Sequence, residues 1–193
     1  MDLSGMGRVA GTDEAGRGPL AGPVVAAAVY LTVEQERELL SLGLTDSKKL
    51  TPRRREFLFE RMVSLGVVWR AQAASPARID AMNILRASLW AMGRSVRKLP
   101  RCFDVVIVDG TFPIPGLDIP QRPMVKADLL IPAAAAASVA AKVLRDRIMD
   151  ALDTIYPGYS FRKHKGYPTA VHRKALADLG PSPVHRRTFN WSP

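Results

Sequence analysis

Residues 11–23 have the sequence GTDEAGRGPLAGP, and the rest of the chain is organised around this segment. The β-branched Val9 precedes it, so residues 8–12 are expected to form a short strand that stops where two acids and a Gly-Arg-Gly run follow. Ligands of open α/β sheets bind at the carboxyl ends of strands, where side chains from several elements converge. The position of Asp13 and Glu14 therefore indicates a functional site at one edge of a sheet.

Asp13 and Glu14 can face one site only if the chain bends at Glu14, because adjacent side chains on a strand point to opposite faces. The small residues that follow permit that bend, and a hard divalent cation such as Mg²⁺ would hold the two carboxylates together. Gly16 and Gly18 leave backbone N–H groups uncovered and Arg17 adds a planar cation, which favours a phosphate or a hydroxyl-bearing sugar. The alternative is a surface Asp-Glu pair in a polar turn, and the adjacent glycines argue against it.

A further carboxylate has the same context later in the chain. Residues 103–110, FDVVIVDG, place four consecutive β-branched residues before Asp109 and a glycine, and form the clearest buried strand of the sequence. Taken alone, Asp109 is explained equally well as the cap of a turn. That explanation weakens because Asp13 also stands at the end of an expected strand.

Asp128 precedes a long alanine-rich helix that is expected over residues 132–151. Its simple explanation is a favourable interaction with the helix dipole. The alternative is a fourth ligand that faces the three acids named above. The five alanines at residues 133–137 are expected to form a helix face packed closely on the sheet, where large side chains would not fit.

The remaining elements follow from periodicity and from capping residues. Residues 23–31 are expected to form a strand beside the first one, and residues 111–123, with four prolines, an irregular loop or hairpin. Asn83 falls inside an apolar helical stripe that starts at residue 76 and continues to Met92. Further expected elements are helices over residues 33–41, 52–64 and 170–179 and a strand over residues 67–73.

The composition is that of a globular protein with a polyanionic partner. The 193 residues suffice for one domain with a substantial core, and 47% of them are hydrophobic. The net charge of +10 attracts polyanions, so nucleic acid is the expected partner, although a generally basic proteome would also explain it. Residues 142–193 hold ten Lys or Arg against four Asp, which places the expected electrostatic footprint there.

Other classes of protein are disfavoured by what the sequence lacks. No apolar run reaches the roughly 18 residues of a membrane span, and the amino terminus has no signal-peptide core, so a cytoplasmic location without a membrane partner is expected. Cys102 is the only cysteine and cannot form an internal disulfide. Without a Ser-His-Asp pattern, a reactive cysteine or a P-loop, metal-assisted hydrolysis is the leading chemistry. The three histidines, too scattered for a zinc site, are expected to be structural or phosphate-facing: His164, His172 and His185.

Two basic segments are candidates for contact with nucleic acid. Residues 161–169, FRKHKGYPT, alternate cations with aromatic residues, as expected of a surface that pairs with phosphate and stacks on a sugar or base. Lys48 and Lys49 lie in an expected polar loop. Paired lysines are usually solvated, and contact with backbone phosphates is the alternative.

Taken together, these segments resemble ribonuclease HII, the type 2 ribonuclease H. The amino-terminal signature is DEAGRGP at residues 13–19 with AGP at residues 21–23. Each piece alone is weak, but the combination is specific and spans nearly the whole chain in the family's order. The other pieces are DSKKL at 46–50, NIL at 83–85, VDG at 108–110, KAD at 126–128, AAKVLRDR at 140–147 and GYPT at 166–169.

The resemblance implies a ribonuclease H-like α/β fold, with a mixed central sheet flanked by helices. It implies a single catalytic domain over residues 1–193, with a basic helical carboxyl-terminal extension from about residue 142. The implied activity is hydrolysis of the RNA strand of RNA–DNA hybrids and cleavage 5′ of ribonucleotides embedded in duplex DNA. The implied mechanism uses two Mg²⁺ or Mn²⁺ ions, and the implied products carry 3′-hydroxyl and 5′-phosphate ends. The protein is expected to be a monomer. The alternatives are a non-catalytic basic binding module and a junction-resolving DNA nuclease.

The resemblance also assigns roles to individual residues. The family usually has Gly or small hydroxyl residues where this chain has Ala127, Ile131 and Ala133, which removes the basis for a hydroxyl contact from that turn. The implied catalytic and metal-binding residues are Asp13, Glu14, Asp109 and Asp128. The implied substrate contacts are the backbone of Gly16, Arg17 and Gly18 on the ribonucleotide, Tyr167 on the neighbouring deoxyribose, and Lys48 and Lys49 on phosphates.

Overall fold

A five-stranded sheet forms the centre of the computed structural model, which describes residues 7–191. The two ends of the predicted 1–193 domain, and with them the start of the chain considered for a signal peptide, therefore lie outside the described residues. The sheet is mixed, because its central strand pairs antiparallel with one neighbour and parallel with the other. The strands are β1 (Val9–Ala15), β2 (Val24–Tyr30), β3 (Val68–Ala74), β4 (Val105–Asp109) and β5 (Gln121–Met124), in the spatial order β3-β2-β1-β4-β5.

Helices cover both faces of this sheet. The predicted mixed α/β sheet flanked by helices is confirmed, as are the predicted helices over residues 33–41, 52–64 and 170–179. In the part of the chain that the structure describes, no helix has the length and apolarity needed to cross a bilayer. The helices are α1 (Val33–Ser41), α2 (Pro52–Ser64), α3 (Pro76–Met82), α4 (Ile84–Arg97), α5 (Ala127–Leu130), α6 (Pro132–Ile155), α7 (Phe161–His164) and α8 (Ala170–Leu179).

Strand β1 is longer than predicted and does not end at Thr12. Its parallel pairing with β4 ends at Thr12 opposite Val108, but its antiparallel pairing with β2 continues to Ala15. The two acids therefore lie inside the strand, and the predicted bend at Glu14 is wrong. Because β1 stays extended there, Asp13 and Glu14 point to opposite faces of the sheet.

The alanine-rich start of α6 packs directly on β1. All five alanines at residues 133–137 are buried, as the sequence predicts. A Cβ atom on Gly11 of β1 would lie only 2.2 Å from the backbone nitrogen of Ala134. Close contact between strand and helix thus requires small residues on both sides, and it fixes α6 beneath the end of β1.

The predicted single helix beyond residue 76 is interrupted at Asn83, which separates α3 from α4. Asn83 has φ +67° and ψ 165°, an extended conformation with positive φ that residues other than glycine rarely adopt, and its side chain accepts a hydrogen bond from the backbone nitrogen of Arg86 at 3.0 Å. The apolar stripe conceals the break because Ile79 and Met92 are buried in one core on either side of it.

The proline-rich segment after β4 is more regular than predicted, since its end forms β5. This strand pairs in parallel with β4 at the edge of the sheet, with Pro123 opposite Val108. A proline is tolerated there because an edge strand leaves one side without a partner strand.

Beyond α6 the chain forms two short helices, α7 and α8, joined by non-helical segments, and its last part returns to the start of the fold. The backbone nitrogen of Arg186 donates to Leu20 O at 2.8 Å, and the nitrogen of Gly22 donates to Val184 O at 2.9 Å. The final segment therefore lies directly behind residues 16–23, the segment that contains the glycine-rich signature.

Candidate active site

Three of the four predicted acids meet at one end of the sheet. Asp13, Asp109 and Asp128 each offer a carboxylate oxygen, and these three oxygens lie within 4.8 Å of one another. The first two come from adjacent parallel strands and the third from α5. Because the last parallel pair is Thr12 opposite Val108, the next residue on each strand is one of these acids.

Short hydrogen bonds hold this group in place. Asp109 Oδ1 accepts a bond of 2.7 Å from the backbone nitrogen of Ala127, which joins the end of β4 to the start of α5 and so positions Asp128. Asp13 Oδ1 accepts a bond of 2.6 Å from the nitrogen of Glu14.

The electrostatics of the group favour a bound cation. Burial raises the pKa of Asp13 well above its usual range, and repulsion from Glu14 and Asp109 adds to this effect. Burial also raises the pKa of Asp128 to about 6, again with repulsion from Asp109. Buried, mutually repelling carboxylates at these distances fit a hard divalent cation, which binds oxygen ligands and removes the repulsion.

Glu14 lies next to these three acids and is not part of their group. Its carboxylate is 3.4 Å from Arg17 Nη1 and lines a cavity of about 210 Å³ whose other walls include Asp109 and Ser88 of α4. Burial raises the pKa of Glu14, while the positive charge of Arg17 opposes that change. The structure therefore places Glu14 beside Asp109 in the wall of this cavity, outside the group of three carboxylates.

Lys48 reaches the acids from a short 3₁₀ turn, Ser47–Lys49. Partial burial lowers the pKa of Lys48, but the negative charges of Asp13 and Asp128 outweigh this effect, and the pKa is raised. Asp46 caps the turn by accepting from the backbone nitrogen of Lys48 at 2.8 Å. Lys48 and Lys49 are both exposed in this turn.

The remaining predicted contacts lie together on the surface beside the acids. A Cβ atom on Gly18 would be 3.7 Å from Cε1 of Tyr167, so the tyrosine ring lies against this glycine. The Tyr167 side chain is 43% exposed, and Arg17 and Gly18 are exposed as well. Two segments that are far apart in sequence thus form one continuous surface.

The three histidines are brought together, which their spacing in the sequence did not reveal. The rings of His164 and His172 are stacked with centroids 4.4 Å apart, and His172 Nε2 lies 3.0 Å from His185 Nε2. The other nitrogens of these rings are bonded to backbone groups, among them Tyr167 O at 2.9 Å from His172 Nδ1. These contacts agree with the predicted structural role.

Sequence reasoning missed two arginines that lie under residues 16–23. Arg145 is 1% exposed and Arg186 is fully buried. The available signal for Arg145 was its place in the AAKVLRDR segment, but charged neighbours at positions 142, 146 and 147 make it look like an ordinary surface residue of α6. Arg186 gave no such signal because basic residues surround it in the sequence.

Comparison with known proteins agrees with this geometry. The family model described as Ribonuclease HII matches residues 10–191. The chain belongs to the ribonuclease HII family. It is 48% identical over 182 residues to the ribonuclease HII of Acaryochloris marina (strain MBIC 11017), which covers 94% of this chain and 92% of that protein.

Solved structures of ribonuclease HII relatives share the fold over nearly their full length. The crystal structure of ribonuclease H2 from Pyrococcus horikoshii OT3 matches with a TM-score of 0.79 and 29% identity, covering 95% of this chain and 94% of that one. The RNase HII of Archaeoglobus fulgidus, solved in a complex with PCNA, matches with a TM-score of 0.77 and 28% identity, covering 93% and 92%.

Membership of the ribonuclease HII family establishes the class of reaction. The chain is a metal-dependent ribonuclease H, an endonuclease, and its family acts on RNA–DNA hybrids. The predicted ribonuclease H-like fold is confirmed. The alternatives of a non-catalytic binding module and of a junction-resolving nuclease are set aside by the same findings.

Proposed function

We propose that this ribonuclease cuts 5′ of single ribonucleotides embedded in duplex DNA, in addition to the RNA strand of hybrids, and so serves ribonucleotide excision repair. The observation that carries the proposal is the meeting of Asp13, Asp109 and Asp128 within 4.8 Å beside the surface of Gly18 and Tyr167. A cytoplasmic monomer is part of the same proposal.

The proposed catalytic and metal-binding residues are Asp13, Glu14, Asp109 and Asp128. Three of them share one small volume, and Glu14 borders it through Asp109. Two Mg²⁺ or Mn²⁺ ions, when bound, would supply an activated water and stabilise the charge that develops on the phosphate and on the leaving 3′ oxygen. The protein's own contribution is to fix the carboxylates of Asp109 and Asp13 through the bonds from the backbone nitrogens of Ala127 and Glu14.

The proposed substrate contacts explain how a ribonucleotide within DNA is recognised. The 2′-hydroxyl distinguishes RNA from DNA at a given position. The backbone of Gly16, Arg17 and Gly18 is suited to a close approach by that hydroxyl, because two of the three residues carry no side chain. Tyr167 lies against Gly18, so its ring is placed to pack on the adjacent deoxyribose.

Lys48 and Lys49 complete the proposed substrate surface. Lys48 is held near the acids by their negative charges, where a phosphate bound at the metal site would lie. Lys49 is exposed beside it and is placed to contact the next phosphate of the backbone. Positive charge at these positions offsets the repulsion between the acids and the nucleic acid.

A comparison of three substrates tests the proposal. The duplexes have the same sequence and contain one ribonucleotide, a full RNA strand or only DNA, and each is incubated with Mg²⁺, with Mn²⁺ or with EDTA. We expect metal-dependent cutting of the first two, with the embedded ribonucleotide cut on its 5′ side. Cleavage of the hybrid alone would restrict the chain to hybrid substrates and would contradict the proposal.

A further inference from the structure

Two buried arginines lie beneath residues 16–23 without a carboxylate to neutralise them. Arg145 of α6 is 1% exposed and Arg186 of the final segment is 0% exposed. Among residues 7–191, neither forms an ion pair with an acid. Burying an unpaired charge is expensive, and an apolar side chain would pack there at a lower cost. Stability alone therefore does not explain these two residues.

Arg186 binds the carbonyl side of the glycine-rich segment. Its Nη2 donates to Gly16 O at 2.6 Å, its Nη1 to Arg17 O at 2.8 Å and its Nε to Gly22 O at 3.0 Å. The planar guanidinium has donors in a fixed fork, so it can hold three carbonyls in one arrangement. A lysine in its place would carry the same charge on one ammonium group at the end of a flexible side chain, without the fixed fork of donors.

Arg145 joins this segment to the turn that contains Tyr167. Its Nε donates to Pro23 O at 3.0 Å, its Nη2 to Ala21 O at 3.2 Å and its Nη1 to Lys165 O at 3.0 Å. Its guanidinium carbon lies 6.0 Å from the centroid of the Tyr167 ring. One side chain thus contacts both parts of the proposed recognition surface.

Gly16 shows how closely the loop follows these arginines. Its φ is +98°, and a Cβ atom there would lie 1.9 Å from Arg145 Nε. Any side chain at position 16 would displace the guanidinium. Gly16 is therefore needed so that the loop can contact Arg145. It also leaves the opposite side of the loop open to the substrate.

The arginines leave the amide side of the loop free. The carbonyls of Gly16 and Arg17 are bound from inside, while in the described part of the chain the amides of residues 16–18 donate to no protein acceptor. Two positive charges also lie directly behind these amides. Burial, and then repulsion from Arg145, lower the pKa of Arg186 to about 9, so both side chains remain charged at neutral pH.

The final segment anchors Arg186 from the opposite side. Asp80 of α3 accepts hydrogen bonds of 3.0 Å from the backbone nitrogens of both Arg187 and Thr188. The indole nitrogen of Trp191 donates to Arg186 O at 3.0 Å. The guanidinium is therefore held to the loop by a backbone that is itself fixed.

We propose that Arg186 and Arg145 are positioning residues that hold the backbone of residues 16–18 in the conformation that reads the ribose. Discrimination between a ribonucleotide and a deoxyribonucleotide then depends on both arginines, although neither touches the substrate. This inference rests on the proposed function, because it takes the sugar to be read by residues 16–18.

The test compares Arg186→Lys and Arg145→Lys with the wild type. Dissociation constants are measured in EDTA by fluorescence anisotropy, for a duplex with one ribonucleotide and for the same duplex of DNA. A loop displaced by about 1 Å costs on the order of 100-fold in a well-oriented reaction. We expect the preference for the ribonucleotide to fall at least about 10-fold and kcat in Mn²⁺ by about 100-fold, with unchanged affinity for Mn²⁺ in calorimetry.

Two further variants separate positioning from loss of stability. Leu99→Ala removes a buried side chain at the opposite end of the sheet, next to Phe103 and Ile119, and is expected to lower stability without changing the preference. Asp80→Ala frees the backbone of residues 187–188 by truncating a half-buried side chain that binds both of their backbone nitrogens. It is expected to weaken the preference in the same direction as Arg186→Lys, and it decides the question if the arginine variants do not fold.

Specific results would overturn the inference. A folded Arg186→Lys variant with the wild-type preference, an equal loss of preference in Leu99→Ala, or an Asp80→Ala variant with no loss would each do so. If the wild type prefers and cuts at the ribonucleotide and the folded arginine variants keep its rate and its preference, only the positioning role is wrong. If the wild type shows neither cleavage nor preference, the proposed function itself is wrong.

Discussion

Asp13 and Asp109 stand side by side where the parallel pairing of β1 with β4 ends. The register pairs Thr12 with Val108, so each acid is the first residue beyond the parallel ladder, and the two side chains lie on the same face. This places two carboxylates in contact without any special loop. It also leaves Glu14 on the other face, where it borders the site through Asp109.

Replacing Asp109 by asparagine is expected to abolish cleavage and to preserve the fold. The amide oxygen of asparagine can still accept the bond from the Ala127 nitrogen, so α5 keeps its place, but the negative charge is lost. Loss of several kcal/mol of transition-state stabilisation corresponds to about 10³-fold in rate. Single-turnover cleavage in Mn²⁺ measures the loss, and anisotropy should show nearly unchanged substrate binding.

Asp104→Asn is the matched control for this variant. Asp104 is an exposed acid just before β4, and it pairs with Arg8 at the opposite end of the sheet from the site. Its replacement should leave the rate unchanged. Normal cutting by purified Asp109→Asn in Mn²⁺ would show that Asp109 is not a catalytic ligand.

Mn²⁺ is expected to stabilise the folded protein through the three clustered acids. A cation present at about 100 times its dissociation constant contributes about 2.7 kcal/mol, which for a chain of this size raises Tm by about 5–10 °C. The Asp128→Asn variant should lose most of this shift. Without metal it should be at least as stable as the wild type, because a charge that Asp109 repels has been removed.

Thermal unfolding with Mn²⁺ and then with excess EDTA measures both effects. The Asp104→Asn variant again serves as the control, and it should keep the full shift. An equal Mn²⁺ shift in wild type and Asp128→Asn would mean that the cation binds elsewhere.

Removal of the Tyr167 ring is expected to weaken cutting at single embedded ribonucleotides. The ring lies against Gly18 and is 43% exposed, so its loss leaves the core intact. Stacking on a nucleic acid contributes about 1–3 kcal/mol per contact, which predicts a loss of about 10- to 100-fold in kcat/KM for Tyr167→Ala. Tyr167→Phe keeps the ring and should behave like the wild type.

The rates at which Tyr167→Ala cuts the single-ribonucleotide duplex and a long hybrid are then compared. The comparison shows whether the ring contacts the deoxyribose next to the ribonucleotide. The hybrid should be affected less, because it has no adjacent deoxyribose on the cut strand. Unchanged cutting of the single-ribonucleotide duplex by Tyr167→Ala would contradict the role of this ring.

The sequence could predict those parts of the site that depend on local pattern. Asp13 and Asp109 follow runs typical of core strands, and the caps at Thr32 and Thr51 define the starts of two helices. The break at Asn83 could not be inferred. Only one residue is non-helical there, so the apolar residues before and after it still follow one helical spacing. The face of the sheet to which Glu14 points could not be inferred either. It depends on β2, whose pairing with β1 continues beyond the parallel pairing of β1 with β4.

Contacts between distant segments were beyond the reach of sequence patterns. His164, His172 and His185 meet only because the chain after α8 returns beside residues 20–22. The same return places Arg186 beneath the glycine-rich loop. Spacing along the sequence carries no information about such a return, and the residues involved have ordinary surface composition.

The histidine cluster predicts a loss of stability on mild acidification. The Ser182 nitrogen donates to His185 Nδ1 at 2.9 Å, so His185 Nε2 carries the proton and donates to His172 Nε2. Both rings are therefore neutral in the folded protein. Burial, and then repulsion from His172, lower the pKa of His185 to about 4, from a value near 6.5 in the unfolded chain.

The sign of the effect follows from these two values. Because the folded pKa is depressed, His185 contributes stability that is complete above pH 6.5 and declines as the pH falls toward about 4, where the folded form also binds a proton. The difference between these two pKa values corresponds to a fall of about 3 kcal/mol in the free energy of unfolding on account of this residue. The raised pKa of Asp128 acts in the opposite sense, so a comparison of variants is required.

His185→Gln removes the titrating ring and supplies the comparison. Urea unfolding at pH 7 and at pH 5 gives the change in free energy for each protein, and the contribution of the acids, common to both, cancels in the difference. We expect the wild type to lose more stability than His185→Gln between these pH values, even though the variant is less stable at pH 7. Equal losses would mean that His185 is already protonated in the folded protein at pH 5, which its bond from the Ser182 nitrogen does not allow.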